Sequence, residues 1–324
     1  MVKKHRIRNI NLRGTAVTEE GISRIARHMW CLTKIVLGDS GTIQRVDLRP
    51  LKRLRSIPSN FLANCANLRL LNMSGLTRVK TIGPSALARC PALTSVNLSG
   101  LQNLEIVGDF FMAYCTSLEL FDASQLKALK TVGDSFLVAC SNLKLANLSG
   151  LERLESVGTK FMYECSSLES FDATHLKALK TVGDWFLACC CFDLKSVNLS
   201  GLECLESVGD YFMAWCASLE FFDATHLKAL KTVGDRFLYC CTNLKSADLG
   251  GLQNLESVGS HFMARCTSLE LFDASHLKAL KTVGNAFLAE CSNLKSVNLS
   301  GPLFFLYEAL KEGKREIEEE RQTQ

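Results

Sequence analysis

Residues 118–142 read Leu-Glu-Leu-Phe-Asp-Ala-Ser-Gln-Leu-Lys-Ala-Leu-Lys-Thr-Val-Gly-Asp-Ser-Phe-Leu-Val-Ala-Cys-Ser-Asn. The opening residues, 118–123, have the apolar pattern of a short strand with one buried face. Gly133 then breaks the extended run, and Asp134 stands where it could cap a helical turn. Phe136, Leu137 and Cys140 would face inward from that turn. This stretch therefore predicts one coil made of a short strand followed by a short helical turn.

A cysteine near the end of this pattern recurs ten times, at intervals of 25 residues with a single step of 26. The ten positions are Cys65, Cys90, Cys115, Cys140, Cys165, Cys190, Cys216, Cys241, Cys266 and Cys291. A fixed period of about 20–29 residues with recurring leucines indicates a leucine-rich-repeat solenoid. We therefore predict an α/β repeat fold, with a parallel β-sheet on the concave face and short helical turns on the convex face.

The repeat also predicts how the chain is organised. Residues 1–42 are expected to form a basic N-terminal cap with a degenerate first coil, and residues 43–301 the leucine-rich repeats. Residues 302–324 follow Gly301 as a C-terminal cap with a charged tail. Ends that differ from the middle are what a stacked solenoid requires.

Two kinds of coil alternate, so the true unit is about 50 residues long. One kind of coil carries Phe and, two residues later, Ala in its strand, as at Phe121. The other kind carries a smaller residue at the position of that Phe, as at Ala146. Large residues beside small ones in neighbouring layers fill a core without voids. Charges alternate in the same way, as at Glu119 and Lys144, and we expect opposite charges to meet between coils and fix their register.

The strand face of the coils is the predicted partner-binding surface. An Asn or Asp recurs in the strand of each coil, and we call these residues the polar column. They are expected to form either a hydrogen-bonded ladder between strands or the floor of a binding surface. The apolar residues that flank them vary from coil to coil while the rest of the repeat stays the same, which makes them the better ligand candidates. The candidate residues are Leu120, Asp122, Leu145, Asp172, Phe221, Asp223, Leu271 and Asp273.

Charge is distributed unevenly along the chain. Residues 1–92 hold 17 Lys and Arg against 4 Asp and Glu, whereas residues 93–324 hold 20 against 29. A basic surface of this kind attracts a polyanion, such as nucleic acid or anionic lipid, or an acidic protein. The acidic C-terminal coils of a second copy could also bind it, so the chain is expected to be either a monomer or associated head to tail. The candidate anion-binding residues are Arg45, Arg49, Lys52, Arg53, Arg55 and Arg69.

Catalytic and metal sites are not predicted. The sequence has no Gly-x-Ser-x-Gly motif, no phosphate-binding loop of the P-loop type and no His-Glu-x-x-His motif, so we expect neither an enzyme nor a bound cofactor. His175, His226 and His276 recur in alternate coils, too far apart to share a metal ion, and are expected to be turn residues. The run 189–191 and Cys204 lack the usual spacing of a zinc site.

The repeat resembles the BspA-like leucine-rich repeats, over about residues 43–301. The residues from Cys65 to Cys90 carry the whole pattern, with Leu68, Leu71 and Gly83 among its fixed positions. The likeness is greatest to the expanded repeat families of unicellular eukaryotes. It implies a non-catalytic binding module, which in that family is often displayed on cell surfaces and used in adhesion or host contact.

We therefore expect a protein–protein interaction scaffold, with cell-surface adhesion and polyanion binding as alternatives. Residues 1–8 are basic but lack the apolar core of a signal peptide, and no run of 18 apolar residues occurs. These features favour the cytoplasm, where cysteines stay reduced, over the cell surface. Neighbouring coils would nevertheless bring the thiols close enough for disulfides to form.

Overall fold

The computed structural model describes residues 42–190 and 193–298, together with Glu20, Gly21 and the backbone of residues 9–11 and 34–36. The chain divides into two compact units, Met1–Leu154 and Glu155–Gln324, called unit 1 and unit 2 below. Most of the predicted N-terminal cap and all of the predicted C-terminal cap lie outside the described residues.

From residue 42 onward, each coil contains two short strands, one of three residues and one of two. The strands of unit 1 are β1 (Asn9–Asn11), β2 (Lys34–Val36), β3 (Arg45–Asp47), β4 (Ser56–Ile57), β5 (Leu70–Asn72), β6 (Thr81–Ile82), β7 (Ser95–Asn97), β8 (Ile106–Val107), β9 (Leu120–Asp122), β10 (Thr131–Val132) and β11 (Leu145–Asn147). The longer strands pair in parallel as β1–β2, β3–β5–β7 and β9–β11, and the shorter ones form a second sheet, β4–β6–β8–β10.

Unit 2 repeats this arrangement. Its strands are β12 (Ser156–Val157), β13 (Ser170–Asp172), β14 (Thr181–Val182), β15 (Ser196–Asn198), β16 (Ser207–Val208), β17 (Phe221–Asp223), β18 (Thr232–Val233), β19 (Ser246–Asp248), β20 (Ser257–Val258), β21 (Leu271–Asp273), β22 (Thr282–Val283) and β23 (Ser296–Asn298). The longer strands pair in parallel as β13–β15, β17–β19 and β21–β23, and the shorter ones form the sheet β12–β14–β16–β18–β20–β22. The parallel repeat fold is therefore confirmed, with a second sheet that the sequence did not predict.

The alternation of large and small core residues is also confirmed. Phe121 lies directly beside Ala146 in the β9–β11 pair, and Phe222 lies beside Ala247 in β17–β19. Both phenylalanines are buried. Because each large ring has a small partner in the next coil, the layers fill the interior without a clash.

The short helical turns expected on the other face are not found in the described coils. The only helical element with defined ends there is a single 3-10 turn, η1 (Leu252–Asn254). In the segment that was expected to be helical, Ser135, Leu137 and Ala139 have positive φ values of 58°, 56° and 54°. A helical turn needs consecutive right-handed residues, so left-handed residues at every second position exclude one. We call the eight residues from Gly133 to Cys140, and their equivalents in other coils, the turn segment.

Hydrogen bonds between coils explain why the turn segment adopts this conformation. The amide of Leu87 donates to the carbonyl of Phe61 in the preceding coil (2.8 Å), and the amide of Ser85 donates to the carbonyl of Asp109 in the following coil (2.6 Å). The amides of these two left-handed residues are thus directed to opposite neighbouring coils. The predicted cap is different as well, because the amide of Asp134 donates to Oδ1 of Asp109 in the preceding coil (3.0 Å).

The recurring cysteines form a buried ladder of thiols in each unit. The Sγ of Cys140 lies 3.2 Å from the carbonyl oxygen of Met112, and the Sγ of Cys266 lies 3.2 Å from that of Leu238. Each acceptor is a left-handed residue of the preceding turn segment, so its carbonyl needs a donor inside the core. Burial raises the pKa of the Cys140 thiol to about 12, which keeps the donor proton in place. Cys140 and Cys266 both carry free thiols.

Ion pairs join neighbouring coils where the sequence alternates Lys and Glu. In unit 2, the Nζ of Lys245 lies 2.7 Å from Glu220, and the Nζ of Lys281 lies 2.6 Å from Glu256. In each pair the hydrogen bond from the lysine lowers the pKa of the glutamate. The predicted meeting of opposite charges is therefore present at these positions, and it opposes a slip of the register by one coil.

Candidate interaction surfaces

In the three-residue strands from β3 to β23, the side chain at the first position is partly or largely exposed to solvent, and we call this position the strand slot. The residue in this slot varies, whereas the residue beside it is apolar in every coil, as at Phe121 and Ala146. Along unit 1 the slot holds Arg45, Leu70, Ser95, Leu120 and Leu145, and along unit 2 it holds Ser170, Ser196, Phe221, Ser246, Leu271 and Ser296. A fixed frame with one variable exposed position is an arrangement that can display different contacts without changing the fold.

Two leucines lie side by side in the strand slot of unit 1. Leu120 and Leu145 are paired in register across β9–β11, and each is 51% exposed. Their neighbours in sequence, Glu119 and Lys144, form an ion pair with a separation of 3.1 Å. The two predicted contact residues therefore form an apolar patch bordered by a paired charge, which is the usual composition of a small protein contact.

The predicted contact residues of unit 2 are arranged differently. Phe221 lies beside Ser246, and Leu271 lies beside Ser296, so each large apolar side chain has a serine next to it in its strand pair. Both side chains are exposed. Within unit 2, these pairings present separate apolar contacts rather than a leucine pair.

The four predicted aspartates close turns at the ends of their strands. Oδ1 of Asp122 accepts the amide of Ser124 (2.9 Å), and Oδ1 of Asp273 accepts that of Ser275 (2.8 Å). Asp172 and Asp223 accept the amides of the residues two positions on in the same way. Hydrogen bonds from Ser275 also lower the pKa of Asp273. Because one oxygen of each carboxylate already serves the fold, only the second remains for a partner.

Some members of this polar column also join neighbouring strands. The Nδ2 of Asn147 donates to Oδ1 of Asp122 (3.0 Å), and that of Asn298 donates to Oδ1 of Asp273 (3.0 Å). The sequence left open a structural ladder and a binding floor. These bonds supply the ladder at both places.

The predicted anion-binding residues belong to several parts of the coils. Arg45 begins β3 and lines a hollow of about 450 Å³ together with Asn72 and Asn97, whereas Arg55 directly precedes β4 in the other sheet. Lys52 and Arg53 lie in the turn between two buried leucines, and Arg69 directly precedes β5.

Arg49 is already bound to a carboxylate. Its Nε and Nη2 donate to both oxygens of Asp47, with Nη2 at 2.7 Å from Oδ2. The side-chain hydrogen bond from Arg49 lowers the pKa of Asp47. An anionic ligand would therefore have to displace an internal partner from this arginine.

The histidines and the additional cysteines lie at the positions expected from the repeat. His226 Nδ1 lies 3.6 Å from a carboxylate oxygen of Glu203, which also accepts the Nζ of Lys228 (3.1 Å). Cys190 is buried in the ladder, and Cys204 is exposed. Cys191 is outside the described residues. In the part of the chain that the structure describes, no group of three or more His, Cys, Asp or Glu side chains could hold a metal ion.

A stack of aromatic side chains that was not predicted from the sequence lies on the turn segments of unit 2. Trp185 and Tyr211 lie face to face, with ring centroids 3.8 Å apart and planes 8° apart, and Trp215 stacks on both. Tyr163 packs edge-on against Trp185. The signal for this stack in the sequence is the recurrence of large rings two residues after the turn glycine and one residue before the cysteine, as in Gly209–Cys216.

The repeats match the family model described as the BspA-type leucine-rich repeat region, in six copies. The matches cover residues 55–190, 139–270 and 180–310, which together exceed half of the chain. The protein therefore belongs to the BspA-type leucine-rich repeat family. This family consists of structural repeats, and its solenoid fold typically serves as a non-enzymatic scaffold.

Several solved structures are similar to this chain. A leucine-rich repeat protein from Bacteroides ovatus is 19% identical, with a TM-score of 0.47, over 79% of this chain and 78% of that one. The functional domain of InlJ from Listeria monocytogenes, which includes a cysteine ladder, is 16% identical, with a TM-score of 0.31, over 89% of this chain and 66% of that one. An internalin (inlF) from Listeria monocytogenes is 15% identical, with a TM-score of 0.34, over 90% and 86%.

A comparison with curated proteins found no match. Within the described residues, none of the helices has the length and apolar character that a membrane-spanning segment needs.

Proposed function

We propose that this protein is a non-catalytic scaffold that binds protein partners through the strand slot. The observation that carries the proposal is the Leu120–Leu145 pair, two apolar side chains held side by side and half exposed on a fixed frame. Their backbone is fixed by the fold, so a partner that covers them pays little ordering entropy. Asp122 beside them and, in unit 2, Asp172, Phe221, Asp223, Leu271 and Asp273 are proposed to add further contacts.

The strand slot supplies its own conservative replacement. Serine occupies the slot at Ser196 and Ser246 without loss of the strand. Replacing both Leu120 and Leu145 with Ser should therefore preserve the fold while removing the apolar contact. Covering a leucine that is half exposed contributes about 1 kcal/mol, so the double variant should weaken binding by about 2 kcal/mol, or roughly 30-fold.

The test begins by identifying the partner through its position on the molecule. A photoreactive phenylalanine analogue is placed at Leu145 in one version of the chain and at Ala139, in a turn segment, in a matched control. The proposal is supported if a protein is cross-linked from position 145 but not from position 139. That protein must also bind the purified chain, and its affinity must fall for the Leu120→Ser/Leu145→Ser variant. Equal cross-linking from both positions, or full affinity in the serine variant, contradicts it.

We further propose that the protein acts in the cytoplasm. The thiols of the ladder are directed at backbone carbonyls and protonated, as at Cys140 and Cys190, which is the form that a reducing compartment maintains. Labelling of intact cells with a membrane-impermeant amine reagent tests this assignment. Labelling only after lysis supports it, whereas labelling of intact cells supports surface display, the alternative that the family suggests.

A further inference from the structure

A cavity of about 290 Å³ opens on the turn segments of unit 1. Small residues of two neighbouring coils, Ala63 and Ser85 among them, form one side, and two aromatic rings form the other. These rings belong to Phe110 and Tyr114, and each is 42% exposed. The volume is close to the lower end of the range of about 300–1,000 Å³ for small-ligand pockets, so the cavity suits a single ring system.

The aromatic stack of unit 2 shows what this kind of site accommodates. Counted from the turn glycine, Phe110 occupies the position of Tyr211, and Ser85 occupies the position of Trp185. Trp185 covers the ring of Tyr211 at 3.8 Å. In unit 1 a serine stands where the indole would begin, so none of the described rings stacks on Phe110, and a cavity lies beside it.

The side chain in the preceding coil is also smaller in unit 1 than its equivalent in unit 2. Ala63 stands where Tyr163 stands in unit 2, and Tyr163 packs edge-on against the indole at 5.4 Å. The cavity therefore takes the place of an indole and its edge-on neighbour. The backbone φ is nearly the same at the two positions, 59° at Ser85 and 60° at Trp185.

A cation lies at the wall of this cavity. The guanidinium of Arg89 is positioned over the Tyr114 ring, 5.7 Å from its centroid, and Arg89 is exposed. It forms no ion pair with any of the described residues. In unit 2, by contrast, Arg265 is paired with Glu290 at 2.7 Å. The amide of Asn60 adds a polar group to the lining.

We propose that this cavity binds a planar aromatic ring that carries an anionic group. The ring stacks on Phe110 as Trp185 stacks on Tyr211, and the anion pairs with Arg89. The ligand can be an aromatic amino-acid carboxylate or a nucleotide, since both combine a flat ring with a negative charge. This site lies on the turn segments and does not depend on the function proposed for the strand slot.

The test measures binding of two probes to the full chain by isothermal titration calorimetry, with saturation-transfer NMR as a second readout. The probes are N-acetyltryptophan, which is anionic at neutral pH, and adenosine monophosphate, and N-acetyltryptophanamide is the neutral control. For ligands of this size we expect a Kd on the order of 0.1–1 mM. The probe that binds more tightly identifies the source of the ring.

Three variants separate the proposed site from other binding. Ser85→Trp supplies the indole from the chain itself, as at Trp185, and should abolish binding. Lys160→Trp makes the same change at the equivalent position of another turn segment and should leave binding unchanged. Arg89→Gln should weaken binding of the anionic probe by about fivefold and leave that of the neutral amide unchanged, as expected for an exposed charge pair.

The results that would overturn the proposal are equally specific. Absence of binding by both anionic probes at millimolar concentration overturns it, as does binding that survives Ser85→Trp in a protein with an unchanged circular dichroism spectrum. Equal weakening of the anionic and neutral probes by Arg89→Gln overturns the role of the charge.

Discussion

Replacement of Cys140 tests whether the thiol ladder works as a series of hydrogen-bond donors or merely as small apolar filler. The Sγ of Cys140 is fully buried and lies 3.2 Å from the carbonyl oxygen of Met112. No other hydrogen bond reaches that oxygen from the residues that the structure describes. Because Met112 is left-handed, with φ at 53°, its carbonyl is held inside the core and cannot turn to water.

The magnitudes follow from what each substitution keeps. Cys140→Val puts a somewhat larger apolar side chain in place of the thiol and leaves the carbonyl unpaired, which costs about 1.5 kcal/mol, near the lower end for a buried polar group because a thiol is a weak donor. Cys140→Ala also leaves a small cavity and should cost about 2.5 kcal/mol. Cys140→Ser keeps a donor and loses some apolar contact, and it should cost about 1 kcal/mol.

Urea unfolding followed by far-ultraviolet circular dichroism measures these differences. Cys204→Val, at an exposed position, is the matched control and should change the free energy of unfolding by less than about 0.5 kcal/mol. The expected order of stability is Ser above Val above Ala at position 140. If the valine variant is more stable than the serine variant, the ladder is apolar packing and the donor role is refuted.

Two further predictions concern the same turn segments. The folded pKa of about 12 for Cys140, Cys190 and Cys291 exceeds the ordinary value of about 9, so their stabilising effect is complete below pH 9 and is lost as pH rises toward 12. Each thiol should lower the free energy of unfolding by about 1.4 kcal/mol per pH unit in that window. In urea titrations, the free energy of unfolding of the triple serine variant should therefore fall less steeply with pH than that of the wild type. Parallel plots of this free energy against pH would contradict the prediction. Ala139→Gly should stabilise the protein by about 0.5 kcal/mol in thermal unfolding, because glycine adopts a left-handed conformation without strain. Ala128→Gly, where φ is not positive, should destabilise it by about 0.5 kcal/mol, and a loss of stability in both variants would argue against strain at position 139.

The core could be predicted because each coil repeats one pattern of buried residues. Phe136, Leu137 and Cys140 were expected to face inward, and all three are buried. The pairing of Phe121 with Ala146 followed from the two kinds of coil in the sequence. Side-chain volume and period are properties of the sequence itself, so ten copies make them readable without a structure.

The conformation of the turn segments could not be predicted, because it depends on the neighbouring coils. An isolated chain gains nothing from left-handed residues at Ser85 and Leu87, since their amides find acceptors only in adjacent coils, at Asp109 and Phe61. Local propensity instead favours a capped helical turn after an aspartate. The expectation was wrong because stacking supplies partners that a single coil lacks.

The candidate sites could be predicted from the sequence only in part, because one of them depends on which coils are neighbours in space. The strand slot follows from position in the strand, so Leu120 and Phe221 could be named in advance. The cavity beside Phe110 arises because a coil with small residues, such as Ser85, precedes a coil with rings. That combination has meaning only when the spatial neighbours are known. The domain boundaries and the roles of the candidate residues stay predictions.

The most direct test of the scaffold proposal is the affinity of the cross-linked partner for wild type and for Leu120→Ser/Leu145→Ser, measured at 50 mM and 500 mM salt. We predict a loss of roughly 30-fold in the variant and little change with salt, because the contact is apolar. Equal affinity of the two proteins, with a steep fall in affinity at high salt, would contradict the account and assign binding to the basic coils around Arg55 instead.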